Sequence, residues 1–217
     1  MFPPFSLLFQ ILMVVRIFME DSHNYSNNKK KLGFVLSSEI TVDEYLSLKI
    51  PSIEDARILF QLVEKNREYL REWLPWVDSI ASLQDEINFI STSRKNHIQG
   101  ESGLWLIVQN NHPIGTLSLN WIDWNNNSCG IGYWISQEKS GNGIIANSCR
   151  CLINHLIENN KLHRFVIEAG IDNLPSRKVA EKLGMRLEGI NKDREIINEK
   201  YIDHAMYAIT APEWNEN

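Results

Sequence analysis

Ile131-Gly132-Tyr133-Trp134-Ile135, followed by Ser140-Gly141-Asn142-Gly143-Ile144-Ile145, is the stretch whose reading decides the fold of this 217-residue chain. The first part alternates as a strand does. The second passes through two glycines into a helical stretch from 144 to about 158, where Ile145, Cys149, Leu152 and Leu156 keep helical spacing. Such a junction leaves the first helical amides without carbonyl partners, and its glycines let the backbone approach a ligand closely. The result is an anion site that would fit a pyrophosphate, although glycines spaced this way also occur as a plain turn.

Working outward, three strand signals precede the junction, at 104–108, 114–121 and 128–135. Asn110-Asn111 and Asn125-Asn126-Asn127 join them into an antiparallel meander, because asparagine accepts turn geometry readily. Earlier still, 45–50 reads as a strand ended by Pro51. A helix then starts at Ser52 and Asp55 and carries Ala56, Leu59, Phe60 and Val63 on one face. Tyr69, Leu70 and Trp73 share the face of a next helix, stopped by Pro75, and Ser82 with Asp85 caps a third that runs to about Gly100 with Ile87 and Ile90 inward. After the junction come a strand at 164–169, a helix at 175–183 between Pro175 and Gly184, and strands at 186–190 and 201–210. This order predicts one mixed α/β (α+β) domain with a largely antiparallel central sheet of about six to seven strands flanked by helices.

Composition agrees with a globular chain: 43% hydrophobic, 23% charged, with seven tryptophans. A formal net charge of -5 disfavours direct nucleic-acid binding and suits a cationic partner. Cys129, Cys149 and Cys151 are too few and too close for a disulfide framework and lack zinc-site spacing, so reduced thiols in the cytoplasm are expected, with a reactive thiolate at Cys149 as the sharper alternative. Residues 1–40 read as an N-terminal extension and 41–217 as the domain. The apolar run at 5–15 is too short for a membrane span, and Arg16 follows it where a secretory signal would have the basic residues first, so neither stable membrane insertion nor export is expected. Met19 offers an alternative start, and a native appendage that docks or pairs two copies into a homodimer is the other reading.

The junction quoted above, together with Asp172-Asn173-Leu174-Pro175-Ser176 leading to Glu181-Lys182-Leu183-Gly184-Met185, resembles the acetyl-coenzyme A signature of the Gcn5-related N-acetyltransferase (GNAT) superfamily. Leu70-Arg71-Glu72-Trp73-Leu74-Pro75-Trp76 resembles the substrate-side helix of its RimJ/RimL-type branch, which acetylates ribosomal-protein N-termini, and the likeness spans roughly residues 44–210. The resemblance implies a three-layer fold with acetyl-CoA as co-substrate and no metal. It implies cofactor contacts from Trp134, Ile135, Gly141, Asn142, Gly143, Ile144, Ile145 and Asn173, and an acceptor cleft walled by Trp73 and Trp76 with Glu72 greeting the amine. A free backbone N–H near Ile135 would meet the developing oxyanion.

Departures from the pattern carry information. Ser140 stands where Gln or Arg is usual, Ile145 where Gly or Ala is usual, Ala180 where many members carry a tyrosine acid, and Gly130 where the Rim-type pattern often has Glu. Ser176, one turn before Ala180, resembles the serine of Rim-type members and would bond the thiol sulfur. Glu168, on the alternation face of Arg164 and Val166, is left as the candidate base, with simple ion pairing to a surface Lys or Arg as the equal alternative. The histidines at 97, 112, 155, 163 and 204 show no ligand spacing and receive no role.

Without a strong base the acceptor is expected to be an α-amine. Neutralising it at pH 7 costs roughly 1 kcal/mol, against roughly 4 to 5 for a lysine side chain. The expected partner is therefore a protein N-terminus. A polyamine or aminoglycoside, or a catalytically silent CoA-binding domain, are the competing readings.

Overall fold

The structure is a computed structural model that describes residues 35–216. The apolar run at 5–15 and the start at Met19 lie outside the described residues. Leu36 and Ile40, which the sequence reading put in the extension, are buried in the core, and the Trp105 indole donates to the Ser37 carbonyl at 2.8 Å.

In chain order the elements are β1 (Glu39–Thr41), β2 (Leu46–Lys49), α1 (Ala56–Arg71), α2 (Leu83–Gln99), β3 (Gly103–Gln109), β4 (His112–Asp123), β5 (Ser128–Ile135), α3 (Ile144–Asn160), β6 (Arg164–Gly170), α4 (Leu174–Lys182), β7 (Arg186–Ile197), β8 (Lys200–Thr210) and α5 (Ala211–Glu216). Eight strands form one sheet in the order β1-β2-β3-β4-β5-β6-β8-β7. Every neighbouring pair is antiparallel except β5 with β6, which α3 joins by a crossover. The meander is as expected, with Asn110 and Asn111 at φ 49° and 64° closing the β3–β4 turn.

Two cores sandwich the sheet. On one face Ile131 and Ile135 of β5, Phe165 and Ile167 of β6 and Tyr207 of β8 pack with Ile145, Cys149, Leu152 and Leu156 of α3. On the other, Leu59, Val63 and Leu70 of α1 and Ile90 of α2 meet Leu106 and Trp134.

Four local expectations are corrected. The two helices read before Pro75 are one, α1, because Asn66 does not break it: its Nδ2 donates to the Leu62 carbonyl at 2.8 Å and the residue is buried. The helix ends at Arg71, so Glu72 and Trp73 leave it, and Pro75–Ser79 forms a 3-10 turn. Strand β7 continues to Ile197, past the residues 186–190 expected, and it irregularly pairs the charged stretch 191–195 with β8. Burial pushes the Cys149 thiol well above its ordinary range, which removes the reactive-thiolate alternative.

Candidate functional site

Pairing between β5 and β6 covers only Ser128–Gly130 against Arg164–Val166, after which the two strands part. The opening has a donor built into it. Ser136 N donates to the Ile114 carbonyl at 2.8 Å on the β4 side, and in an antiparallel ladder successive amides alternate edges. The Ile135 amide therefore points away from β4, toward the side that β6 has left. The same alternation commits the main chain of Trp134 to β4, and its side chain lies in the α1 core, the ring 6.2 Å from that of Trp76. The sequence reading expects Trp134 to contact the cofactor; its side chain is buried in the core against α1.

The glycine junction continues from that edge. Ser140 N donates to the Gln137 carbonyl, and the next backbone bond outside regular helix is Asn147 N to the Gly143 carbonyl, at 3.0 Å. Gly143 is the N-cap of α3 at φ 77° and Gly141 sits at φ 80°, a region that L side chains rarely adopt. The amides of Ile144, Ile145 and Ala146 open the helix and have no carbonyl within it to meet. A Cβ on Gly141 would touch nothing within 4 Å, and one on Gly143 only Lys182 Nζ at 3.6 Å. Bare amides, a helix dipole and open space fit a pyrophosphate. The side chains of Ile144 and Ile145 turn into the core, so these two residues offer main chain alone.

Helix α1 braces this loop, which sequence reasoning missed. The buried Asn66 accepts from Gln137 N at 2.9 Å, Lys65 pairs with Glu138 at 2.9 Å, and the Tyr69 hydroxyl donates to Ser140 Oγ at 3.4 Å. Only a buried amide midway along an apolar helical face could have signalled it.

Across the opening stands the first turn of α4. The Asn173 side chain accepts from Ser176 N at 3.1 Å, so its visible role is to cap the helix. Tyr133 reaches over from β5, donating to the Ser176 carbonyl at 3.1 Å and meeting Ser176 Oγ at 3.0 Å. Burial pushes the Tyr133 phenol far up, so it stays protonated. The chain thus has a tyrosine beside Ser176 after all, supplied by the strand and not by the helix position that Ala180 fills.

The opposite face of the sheet, toward α1, carries a row of polar and glycine positions, called here the trough. Register places Gly130 and Gly132 of β5, Glu168 and Gly170 of β6, and His204 and Met206 of β8 on this side. Trp121 lies against Gly130 and the Ser118–Asn120 pair over Gly132, where any Cβ would collide with them, at 2.3 Å and 2.6 Å respectively. Trp73 and Ile202 both lie against Gly170. Asn120 and Trp121 are exposed, as is Glu72, which makes no contact that ties it to the trough.

Glu168 is ion-paired to Arg194 at 2.9 Å, and Glu195 Oε2 lies 3.3 Å from His204 Nε2. The Arg194 pairing is the alternative weighed for Glu168 from sequence. His204, given no role there, and Glu195, hidden in the charged half of β7, are both brought to this end of the sheet by the β7–β8 register. Among the described residues no group of three His, Cys, Asp or Glu side chains is placed to hold a metal ion, and no helix is long and apolar enough to cross a membrane.

Comparison with known proteins agrees with this geometry. The family described as acetyltransferase (GNAT) domain matches residues 46–186. The ribosomal-protein-serine acetyltransferase of Escherichia coli (strain K12) is 32% identical over 173 residues, 80% of this chain and 97% of that one. The solved structure of RimL, a ribosomal L7/L12 alpha-N-protein acetyltransferase in complex with coenzyme A, superposes with a TM-score of 0.78 at 32% identity, over 79% of this chain and 97% of its own. The microcin C7 self immunity acetyltransferase MccE, in complex with acetyl-CoA and AMP, gives a TM-score of 0.78 at 27% identity, over 81% and 98% of the two chains.

Proposed function

This chain belongs to the GNAT acetyltransferase family, and from that premise we propose that it acetylates the N-terminal α-amine of a protein, a ribosomal protein in the first instance. As a member it is an N-acetyltransferase whose acetyl donor is acetyl-CoA. The observation that carries the choice of acceptor is the pairing of the carboxylates on the α1 face of the sheet, Glu168 with Arg194 and Glu195 with His204, in place of a free strong base. Such a set of groups suits a peptide end, whose amine needs little help to lose its proton. The names of the E. coli relative and of RimL support the same class. We extend the proposal to a cytoplasmic enzyme that works without a metal.

When bound, acetyl-CoA supplies a thioester carbonyl for direct attack by the neutral amine. The amides at 144–146, with the glycines before them, hold the pyrophosphate. The Ile135 N–H, on the unpaired edge of β5, stabilises charge developing on the carbonyl oxygen. Ser176 Oγ donates a hydrogen bond to the departing sulfur, and Tyr133, fixed in the protonated form, orients that hydroxyl. Proton removal falls to the carboxylates of the trough. Glu168 remains a candidate, but one of its oxygens is held by a permanently charged guanidinium, whereas Glu195 faces an imidazole, which itself can accept a proton and makes the pair the better base. Trp73 and Trp76 form the wall behind the acceptor, and Glu72 at the rim draws a cationic amine toward it.

The test is a panel of acceptors with the purified chain and acetyl-CoA: peptides with free Ser or Ala N-termini, the same peptides N-terminally blocked but containing lysine, spermidine and an aminoglycoside. Thiol release and a 42 Da (about one acetyl group) mass gain confined to the free N-termini are expected. Turnover confined to spermidine or the aminoglycoside would replace the acceptor class, and binding of CoA with no turnover on any amine would leave only a silent binder.

A further inference from the structure

We propose that Lys182 is a ligand of the cofactor's pyrophosphate, supplying from α4 a positive charge to a loop that has serine where Gln or Arg is usual. The proposal rests on the assignment of 141–146 as the phosphate site. Lys182 lies 39 residues beyond Gly143 in sequence, in the last turn of the neighbouring helix, yet its Nζ is the one heavy atom within 4 Å of where a Cβ on Gly143 would stand, at 3.6 Å. A Cβ there would still meet the ammonium group only at ordinary contact distance, so the Lys182 side chain lies directly over the helix end without crowding it.

The lysine's backbone is fixed in register with the amides it faces. Arg150 of α3 donates to the Lys182 carbonyl at 3.3 Å, and its guanidinium stacks on Trp214 at 5.3 Å. Helix α3, whose N-terminus makes the anion site, thereby holds the turn that presents the cation. The neighbouring carboxylate does not compete, because Glu181 accepts from the Tyr207 hydroxyl at 3.0 Å. Among the described residues Lys182 Nζ has no hydrogen bond and no ion pair, while Lys65, Arg71, Arg186 and Lys192 all have carboxylate partners. A positive charge kept free beside outward-facing amides at a helix N-terminus adds to an anion site what the dipole alone supplies weakly. The cation that the sequence pattern lacks at Ser140 returns from a different element.

The experiment is calorimetric titration of the full chain, wild type and the variants Lys182→Met, Lys182→Arg and Gly143→Glu, with CoA and with 3′-dephospho-CoA. For Lys182→Met the dissociation constants of both compounds should rise about fivefold, with less sensitivity to added salt. Lys182→Arg should stay within about twofold of wild type. Unchanged unfolding midpoints without ligand confirm that the surface variants fold. If Lys182→Met weakens CoA but not dephospho-CoA, the lysine meets the 3′-phosphate and the pyrophosphate assignment is overturned. If it weakens neither, Lys182 is no ligand. Failure of the loop assignment reads differently: Gly143→Glu would then bind like wild type, and the Lys182 proposal would fall with it.

Discussion

Removing the hydroxyl of Tyr133 tests whether Ser176 acts alone or as the outer member of a pair. Tyr133 contacts both the carbonyl and Oγ of Ser176, at 3.1 Å and 3.0 Å, so its single proton points to one or the other. On the proposed mechanism, Ser176 would turn its own proton outward as charge collects on the leaving sulfur, and its oxygen would need a donor behind it, which the Tyr133 proton would become. A hydroxyl bonded to a charged acceptor contributes about 1.5–3 kcal/mol and a neutral pair about 0.5–1.5. Expressed as lost transition-state stabilisation, Ser176→Ala should lower kcat about 10- to 150-fold and Tyr133→Phe about 2- to 12-fold. The double variant should be no slower than Ser176→Ala, because the phenol acts only through the serine. Thiol release at saturating acetyl-CoA and acceptor gives all four rates. Since burial keeps the phenol protonated, Tyr133→Phe should leave the basic limb of the pH profile in place. Additive losses, or a Ser176→Ala enzyme at the wild-type rate, would refute the pairing.

Other perturbations probe independent parts of the molecule. Gly143→Glu forces an L side chain to φ 77° and sets a carboxylate beside Lys182, where it occupies the anion site; calorimetry should detect no CoA association, and unchanged affinity would displace the site. Glu195→Gln should cost about 10²-fold or more in kcat/KM near neutral pH, with Glu168→Gln less damaging; the reverse order would return the base to Glu168. Glu86 is buried on α2, and burial pushes its carboxyl up to about 7. Its folded pKa is raised, so the stability tied to the protonated form is complete below about 4.5 and is lost as pH rises through about 7. Glu86→Gln should therefore raise the urea midpoint relative to wild type more at pH 8 than at pH 5. An equal shift at both would contradict the burial argument.

The sequence was most legible where one local rule had no rival. Strand β5 and the start of α3 read correctly because alternation, two glycines and then helical spacing leave no second interpretation. The reading failed where tertiary contacts reverse a local preference. The two helices expected before Pro75 are one, and the Asn66 amide that lies midway along it is satisfied inside the fold by Gln137 N and the Leu62 carbonyl. Residues 191–195 carry too much charge to read as strand, and only Asn191 and Glu195 at their two ends pair with β8. Strand β1, three residues long, is below any periodic signal. At the proposed site, the glycine junction and Ser176 could be picked out as candidates because they lie on contiguous motifs. Tyr133 behind Ser176, His204 beside Glu195 and Lys182 above Gly143 are meetings of residues far apart in the chain, and spacing carries no trace of them.

The parting of β5 from β6 after three rungs has a bearing on how such a protein can change. Groups exposed by a missing rung belong to the peptide backbone, and no single base change deletes an amide unless it installs proline. What is inherited there is the course of the chain, which survives as long as its turns and its core do. Ser140, Ile145, Ala180 and Gly130 can therefore all differ from the commoner pattern in one molecule. Side chains on the acceptor side could then be exchanged without touching the main-chain groups proposed to face the donor.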